Sequence, residues 1–160
     1  MDKDILKILE NDARTTNKQI AEMTGISPSE VSRSIKEAEN NRTILKYKTI
    51  IDWEKTDEER VWAFIEVKLT PEKDTGFDSI AEKIARFPQT QTVYLVSGTY
   101  DLSVLVTGKT NHEIADFVSQ KLSHIKGVQA TVTQFVLKRY KEQGEIIGEK
   151  EEVKRQPVIL

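Results

Sequence analysis

The stretch Gly25-Ile26-Ser27-Pro28, with Glu30 following, constrains this chain more than any other. Glycine is the natural left-handed stop of a helix, because it has no Cβ to clash there. Serine caps the next helix, proline at its first position gives up an N–H that no intrahelical carbonyl would accept, and Glu30 reaches back to complete a capping box. One helix therefore ends near residue 25 and another begins at 28. Upstream, Ile5, Leu6, Ile8 and Leu9 form an apolar stripe of about three turns that stops at Asn11-Asp12-Ala13-Arg14. Thr16 or Asn17 caps a second helix with Ile20, Ala21 and Met23 on one face. The third is expected to reach about Asn41, burying Val31, Ile35 and Ala38.

Two short helices joined through a glycine turn form a helix-turn-helix, whose second helix enters the major groove of double-stranded DNA. Subtracting the buried stripe leaves Ser29, Ser32, Arg33 and Lys36 free on one side. Arg33 suits a guanine edge or a phosphate, and the serines and Lys36 suit backbone contacts. Charge opposes this reading. The net charge is −2, and residues 1–55 hold ten Lys/Arg against ten Asp/Glu, so any DNA-facing surface has to be segregated by geometry. A tri-helical scaffold that only packs on a partner remains the alternative, with Glu30, Glu37 and Glu39 as its support.

Residues 43–53 are β-branched and aromatic and read as an extended connector or strand, and the polar run 54–60 marks a boundary. Beyond it the pattern is regular. Val61–Leu69 alternates as a strand with Val61, Ala63, Ile65 and Val67 on one face, and Phe77–Phe87 is a helix with Phe77, Ile80, Ala81 and Ile84 inward. Strands Thr92–Ser97 and Leu102–Thr107 form a hairpin around Gly98-Thr99-Tyr100-Asp101. Asn111 caps a helix with Ile114, Phe117, Val118 and Leu122 inward, Gly127 ends it, and Val128–Leu137 is the last strand.

The order βαββαβ is the ferredoxin-like split, with both helices on one face of a four-stranded antiparallel sheet. Apolar residues nevertheless occur at both parities: Tyr94 and Val96 against Val93 and Leu95, Val104 and Val106 against Leu102 and Leu105. A sheet with two apolar faces and helices for one of them implies self-association through the other, hence a homodimer. The charged tail 141–160 reads either as an arm on a neighbouring subunit or as a frayed terminus.

Composition closes off other classes. No cysteine is present, so disulfides and Cys-ligated zinc are excluded. At 38% hydrophobic and 31% charged residues the chain can build a core, while no apolar run approaches a membrane span, which points to a cytoplasmic protein without a membrane partner. His112 and His124 fall at the two ends of one helix without a carboxylate at ligand spacing, and the glycines form no phosphate loop. No enzyme activity, cofactor or metal is expected. The loop Gly98-Thr99-Tyr100-Asp101 offers amides, a phenol and a carboxylate to a small zwitterion, although an ordinary hairpin turn uses the same residues.

Taken together, Asp4-Ile-Leu-Lys-Ile-Leu9, Asp12-Ala-Arg14, Ile20-Ala21, Gly25-Ile-Ser-Pro28, Val31, Arg33 and Ile35, then Gly98-x-Tyr-Asp101, Gly127-Val128 and Thr131-x-Thr133, resemble the leucine-responsive regulatory protein / AsnC family of prokaryotic transcription regulators, to about Lys141. The resemblance implies an α+β chain: a (winged) helix-turn-helix DNA-binding domain with its connector at 1–53, and a ferredoxin-like βαββαβ ligand-sensing and oligomerisation domain at 60–140, followed by the tail. It implies dimers assembling into tetramers or octamers. It also implies a small effector, an amino acid, bound between dimers at Gly98, Thr99, Tyr100 and Asp101, with Thr131 and Thr133 as further contacts. The chain departs from the family at Arg33-Ser34, where a basic pair is usual, at Glu37 and Arg42, where a glycine usually follows, and at Ala38 in place of leucine. Two other readings compete: an assembly module without DNA binding, and a small heme-pathway decarboxylase-like enzyme, for which two helix-end histidines are a poor endowment.

Overall fold

The computed structural model describes residues 3–70 and 76–148. Its chain divides into two compact units, one up to Ile50 and one from Ile51 onward.

The first unit is three helices, α1 (Lys3–Asn11), α2 (Asn17–Thr24) and α3 (Pro28–Asn40). Thr16 caps α2 in a capping box with Gln19, and Gly25 ends it at φ 76°, donating its N–H to the Ala21 carbonyl. Ser27 and Glu30 form the second capping box as the sequence requires, with the Ser27 hydroxyl 2.7 Å and its backbone N–H 3.1 Å from the Glu30 carboxylate. Ile5, Leu9, Ile20, Ala21 and Val31 make the core, with Ile8, Ile26, Ile35 and Ile44 packed around it. Met23 departs from expectation. It is 67% exposed, because the eight residues of α2 turn only Ile20 and Ala21 inward. Residues 45–52 form no strand, since no other strand lies beside them among the described residues.

Just beyond α3, Arg42 takes φ 60°, a left-handed position at a helix exit where glycine has no steric cost. A side chain held there costs stability. Ile44 then returns to the helix, donating its N–H to the Ala38 carbonyl at 2.9 Å.

The second unit is a four-stranded antiparallel sheet of β1 (Val61–Leu69), β2 (Thr90–Leu95), β3 (Leu102–Gly108) and β4 (Val128–Phe135), in spatial order β2-β3-β1-β4. Helices α4 (Asp78–Ala85) and α5 (Asn111–Gln120) supply Ile80, Ile84, Ile114 and Phe117 to a core with Ala63, Ile65, Val67, Leu102, Val104 and Val106. Leu102 thus shares the helix face with Val104 and Val106, and Leu105 alone of the expected pair lies opposite. Register puts Trp62, Phe64 and Glu66 of β1 beside Thr107, Leu105 and Ser103 of β3, on the other face. Tyr94 and Val132 join them, opposite Ser103 and Glu66.

Boundaries differ from the sequence reading in several places: α4 spans Asp78–Ala85 rather than 77–87, β2 lies two residues earlier at Thr90–Leu95, and β4 stops at Phe135. The cap of α5 is Thr110, whose hydroxyl accepts the Glu113 N–H at 3.1 Å, and the helix ends at Gln120 in a 3-10 turn, Leu122–His124, that keeps Leu122 buried. Gly127 opens β4 at φ 96° rather than ending a helix, and a Cβ there would lie 2.5 Å from the Ile80 methyl in the core. Both its conformation and its surroundings demand glycine. After β4 the strands β5 (Lys141–Glu142) and β6 (Glu145–Ile146) make a small hairpin; the rest of the tail, 149–160, lies outside the described residues.

Replacing Arg42 by glycine should stabilise the first unit. Relief of a left-handed side chain, about 1–2 kcal/mol, exceeds the added chain entropy of about 0.5–1 kcal/mol. The net gain, up to about 1.5 kcal/mol by those figures, would be read as a rise in unfolding midpoint. A fall would show that the Arg42 side chain makes a compensating contact.

Candidate functional site

The outward face of α3 follows from its caps. At about 100° per residue, Ser29, Ser32, Arg33 and Lys36 fall within an arc of about 100°, opposite Val31 and Ala38. Ser29, Arg33 and Lys36 are exposed and Ser32 is half-buried. Ser29 shares a 3.0 Å hydrogen bond with the Ser27 hydroxyl, which ties it to the cap. Arg33 and Lys36 are in no ion pair among the described residues.

The acids of this helix are partly spent. Hydrogen bonds from the Ser27 side chain, then from its backbone, hold the Glu30 carboxyl below the usual carboxylate range and keep it at the cap. Glu39 accepts the Tyr47 hydroxyl at 3.0 Å, and burial, then this bond, raises the phenol's pKa. Only Glu37 is left unengaged among the three acids that weighed against DNA. The signal for Tyr47 lay beyond the helix, where helical spacing cannot show it.

The second group of expected residues lies at the end of the sheet where β1 finishes. Gly98 and Thr99 are exposed, and Tyr100 and Asp101 are half-buried. A Cβ on Gly98 would meet nothing within 4 Å, so the space above its backbone is open. Asp101 is not available in the way its residue type suggests. Its carboxylate accepts the Leu69 N–H at 2.8 Å and the Lys68 ammonium at 3.2 Å, while its own N–H donates to the Val67 carbonyl at 3.0 Å. The Leu69 N–H bond first, then the Lys68 hydrogen bond and charge, outweigh partial burial and hold its pKa below the ordinary value. The residue clamps the β2–β3 loop to the end of β1, leaving the loop amides and the Tyr100 phenol as its free groups.

Thr131 and Thr133 are not brought to this loop. Register pairs them with Val67 and Ile65 on the helix face of the edge strand β4. Thr131 is separated from the β3 end of the loop by two strand spacings, roughly 10 Å. Lys68, which completes the clamp, was missed by the sequence reading, although a cation two residues after Glu66 in a strand that is apolar elsewhere was its visible sign. His112 meets only Asp116, at 3.4 Å one helical turn away.

Among the described residues no helix is long and apolar enough to cross a membrane. The sequence matches two family models, a winged helix-turn-helix DNA-binding domain over residues 1–44 and the Lrp/AsnC ligand binding domain over residues 62–146. It is 43% identical over 153 residues to YugG of Bacillus subtilis, named as an uncharacterized HTH-type transcriptional regulator, covering 95% of this chain and 92% of that one. To the HTH-type transcriptional regulator FL11 of Pyrococcus horikoshii it is 33% identical, covering 91% and 93%. Among solved structures it is similar to the transcriptional regulator NMB0573 of Neisseria meningitidis in complex with L-methionine, at a TM-score of 0.69, 26% identity and coverage of 89% and 93%. AsnC of E. coli shares the fold at a TM-score of 0.66, 21% identity and coverage of 89% and 95%.

The clamp yields a pH signature. A depressed folded-state pKa contributes stability that is present above the unfolded value and is lost as pH falls through the folded one. Asp101→Asn should therefore unfold at a lower temperature than the parent chain at neutral pH, and the gap should close as pH drops below the folded pKa. A gap of constant size in thermal melts across that range would mean that the charge of Asp101 does no work.

Proposed function

Because this chain belongs to the Lrp/AsnC family of helix-turn-helix transcription regulators, we propose that it reads operator DNA with the Ser29, Ser32, Arg33 and Lys36 face of α3, as a dimer tuned by a small amino acid. The observation that carries the reading is the exposed arc of α3, where Arg33 and Lys36 make no ion pair among the described residues while Glu30 and Glu39 are held by Ser27 and Tyr47. A regulator of this kind works beside its DNA, in the cytoplasm.

One such helix is a weak DNA binder, because the first unit, to Ile50, carries nine Lys/Arg against eight Asp/Glu, a net excess of a single cation. Pairing two chains supplies the missing affinity through effective concentration. The face of the second unit opposite its helices, with Phe64 46% and Tyr94 64% exposed and Trp62, Leu105 and Val132 alongside, suits a second copy. Dimers joined in this way can build the tetramers or octamers common in the family.

For the effector, the open backbone at Gly98 and Thr99 and the free Tyr100 phenol suit a carboxylate and a polar group of an amino acid. Asp101 positions that loop rather than touching the ligand. Thr131 and Thr133 would reach the ligand only from another subunit. L-Methionine is the first compound to try, since it occupies the Neisseria structure.

Two variants in one gel-shift series test the DNA reading. Arg33→Ala should cost about 1–3 kcal/mol if Arg33 reads a base edge, with the oligomer unchanged. Phe64→Glu should weaken binding by splitting the dimer, seen as a halved mass in sedimentation, with α3 untouched. Unaltered affinity for Arg33→Ala removes that residue from the interface, and an intact dimer for Phe64→Glu moves the pairing surface elsewhere. For the effector, L-methionine should raise the unfolding temperature of the parent chain and not that of Tyr100→Ala. Equal shifts in both would put the ligand elsewhere.

A further inference from the structure

We propose that the second unit carries a further ligand site, for a small zwitterion of the α-amino-acid class, in the cavity between residues 53–60 and the stretch that follows β4. This cavity has a volume of about 390 Å³, within the size range of small-molecule pockets. It is at the start of β1, whereas the 98–101 loop is clamped to its end. Trp62 and Leu69 are seven residues apart along that strand, about 23 Å.

One donor in the lining lacks an acceptor and a second is weakly paired. The indole N–H of Trp62 is buried with no hydrogen-bond partner. The Arg139 side chain is only 12% exposed, stands 5.2 Å from the centroid of the Trp62 ring, and has a single long ion pair, 3.9 Å, to Glu142. Arg60, in the same lining, shows what satisfaction looks like: it donates to Glu58 at 2.7 and 3.0 Å and stacks over Trp53 at 3.7 Å. Buried donors in native proteins are nearly always paired, so an orphaned indole N–H beside a guanidinium whose one ion pair is long marks a place for a carboxylate. The other two unpartnered buried atoms among the described residues, Gln89 Oε1 and Thr90 Oγ1, lie outside this lining.

The same cavity selects against a simple anion. Glu54, Asp57 and Glu59 also line it, and among the described residues none of their carboxylates is in an ion pair or accepts a hydrogen bond. An anion alone would meet these three carboxylates, with Lys138 the one cation of the lining outside any ion pair among the described residues, and a cation alone would leave Arg139 and Trp62 as they are. A ligand with a carboxylate and an ammonium on one carbon answers both groups, and the two indole rings of the lining favour an apolar side chain.

The test is built into the composition. The chain has two tryptophans, Trp53 and Trp62, and both line the cavity, so intrinsic tryptophan fluorescence of the full-length protein reports on it directly. L-Leucine, L-methionine and L-phenylalanine are titrated, together with leucine amide, which keeps only the ammonium, and 4-methylpentanoate, which keeps only the carboxylate. At least one of the three amino acids should give a saturable change, with each one-charge analogue of leucine roughly tenfold weaker or worse than leucine itself if leucine binds. Arg139→Gln should abolish the response, Trp62→Phe should weaken binding roughly tenfold, read from Trp53, and Tyr100→Ala should leave it intact. Circular dichroism confirms that each variant is folded. The proposal is overturned if no amino acid gives a saturable change, or if Arg139→Gln and Trp62→Phe bind as tightly as the parent. It is also overturned if 4-methylpentanoate matches leucine, or if the response disappears with Tyr100→Ala alone, which would assign it to the loop. A fluorescence change that depends on protein concentration and is lost in Phe64→Glu would mean that an acid of a second copy fills the cavity instead.

Discussion

Two helices can cover only one face of a four-stranded sheet, and the rest of the second unit follows from that limit. With Ile80, Ile84, Ile114 and Phe117 laid over Ile65, Val67, Leu102 and Val104, the helix face is closed and dry. The opposite face keeps the same β-branched and aromatic character because strands need it to pack and hold register. What is left there is neither fully apolar nor fully polar. Glu66 sits among aromatic and aliphatic neighbours, and Lys68 is drawn to the Asp101 end by its ion pair. Burial of such a face by a second copy carries a charge to be compensated as well as area to be gained, which favours one partner geometry over many.

The first unit balances a different pair of demands. A helix that approaches phosphates needs uncompensated cations, yet a short helix needs acids near its start for capping and for its dipole. Here the two coexist because the acids are engaged by groups of the same unit: Ser27 holds Glu30 at the cap and Tyr47 takes Glu39. Net charge is therefore a poor guide to this surface. What matters is which charges are free: Arg33 and Lys36 on the outward arc, with Glu37 the acid of this helix left unengaged beside them.

Much of this was legible in the sequence wherever the signal was local. The Ser27-Glu30 box and the alternation of Val61–Leu69 fixed their elements to the residue, because a cap or a strand face is written within a few positions. Thr110 and Asn111 are both good caps, and sequence cannot say which one the chain uses. Residues 43–53 carry strand-forming side chains, but a strand needs a neighbour that residue preferences do not reveal. At the candidate sites the exposed positions on α3 followed from helical spacing. The partners of Asp101 did not, for they lie more than thirty positions away, and neither did the cavity, whose walls come from segments about eighty residues apart.

The Asp101 clamp also divides the β2–β3 connection into two stretches with different freedom. Between Asp101 and Leu102 the chain is committed, since the Val67 carbonyl and the Leu69 N–H are both engaged there and a one-residue shift would turn Leu102, Val104 and Val106 to the wrong face. Between Val96 and Tyr100 nothing holds the backbone to β1. Length and chemistry can change in that stretch without disturbing the sheet, so the groups this end of the fold presents can vary while its core stays as it is.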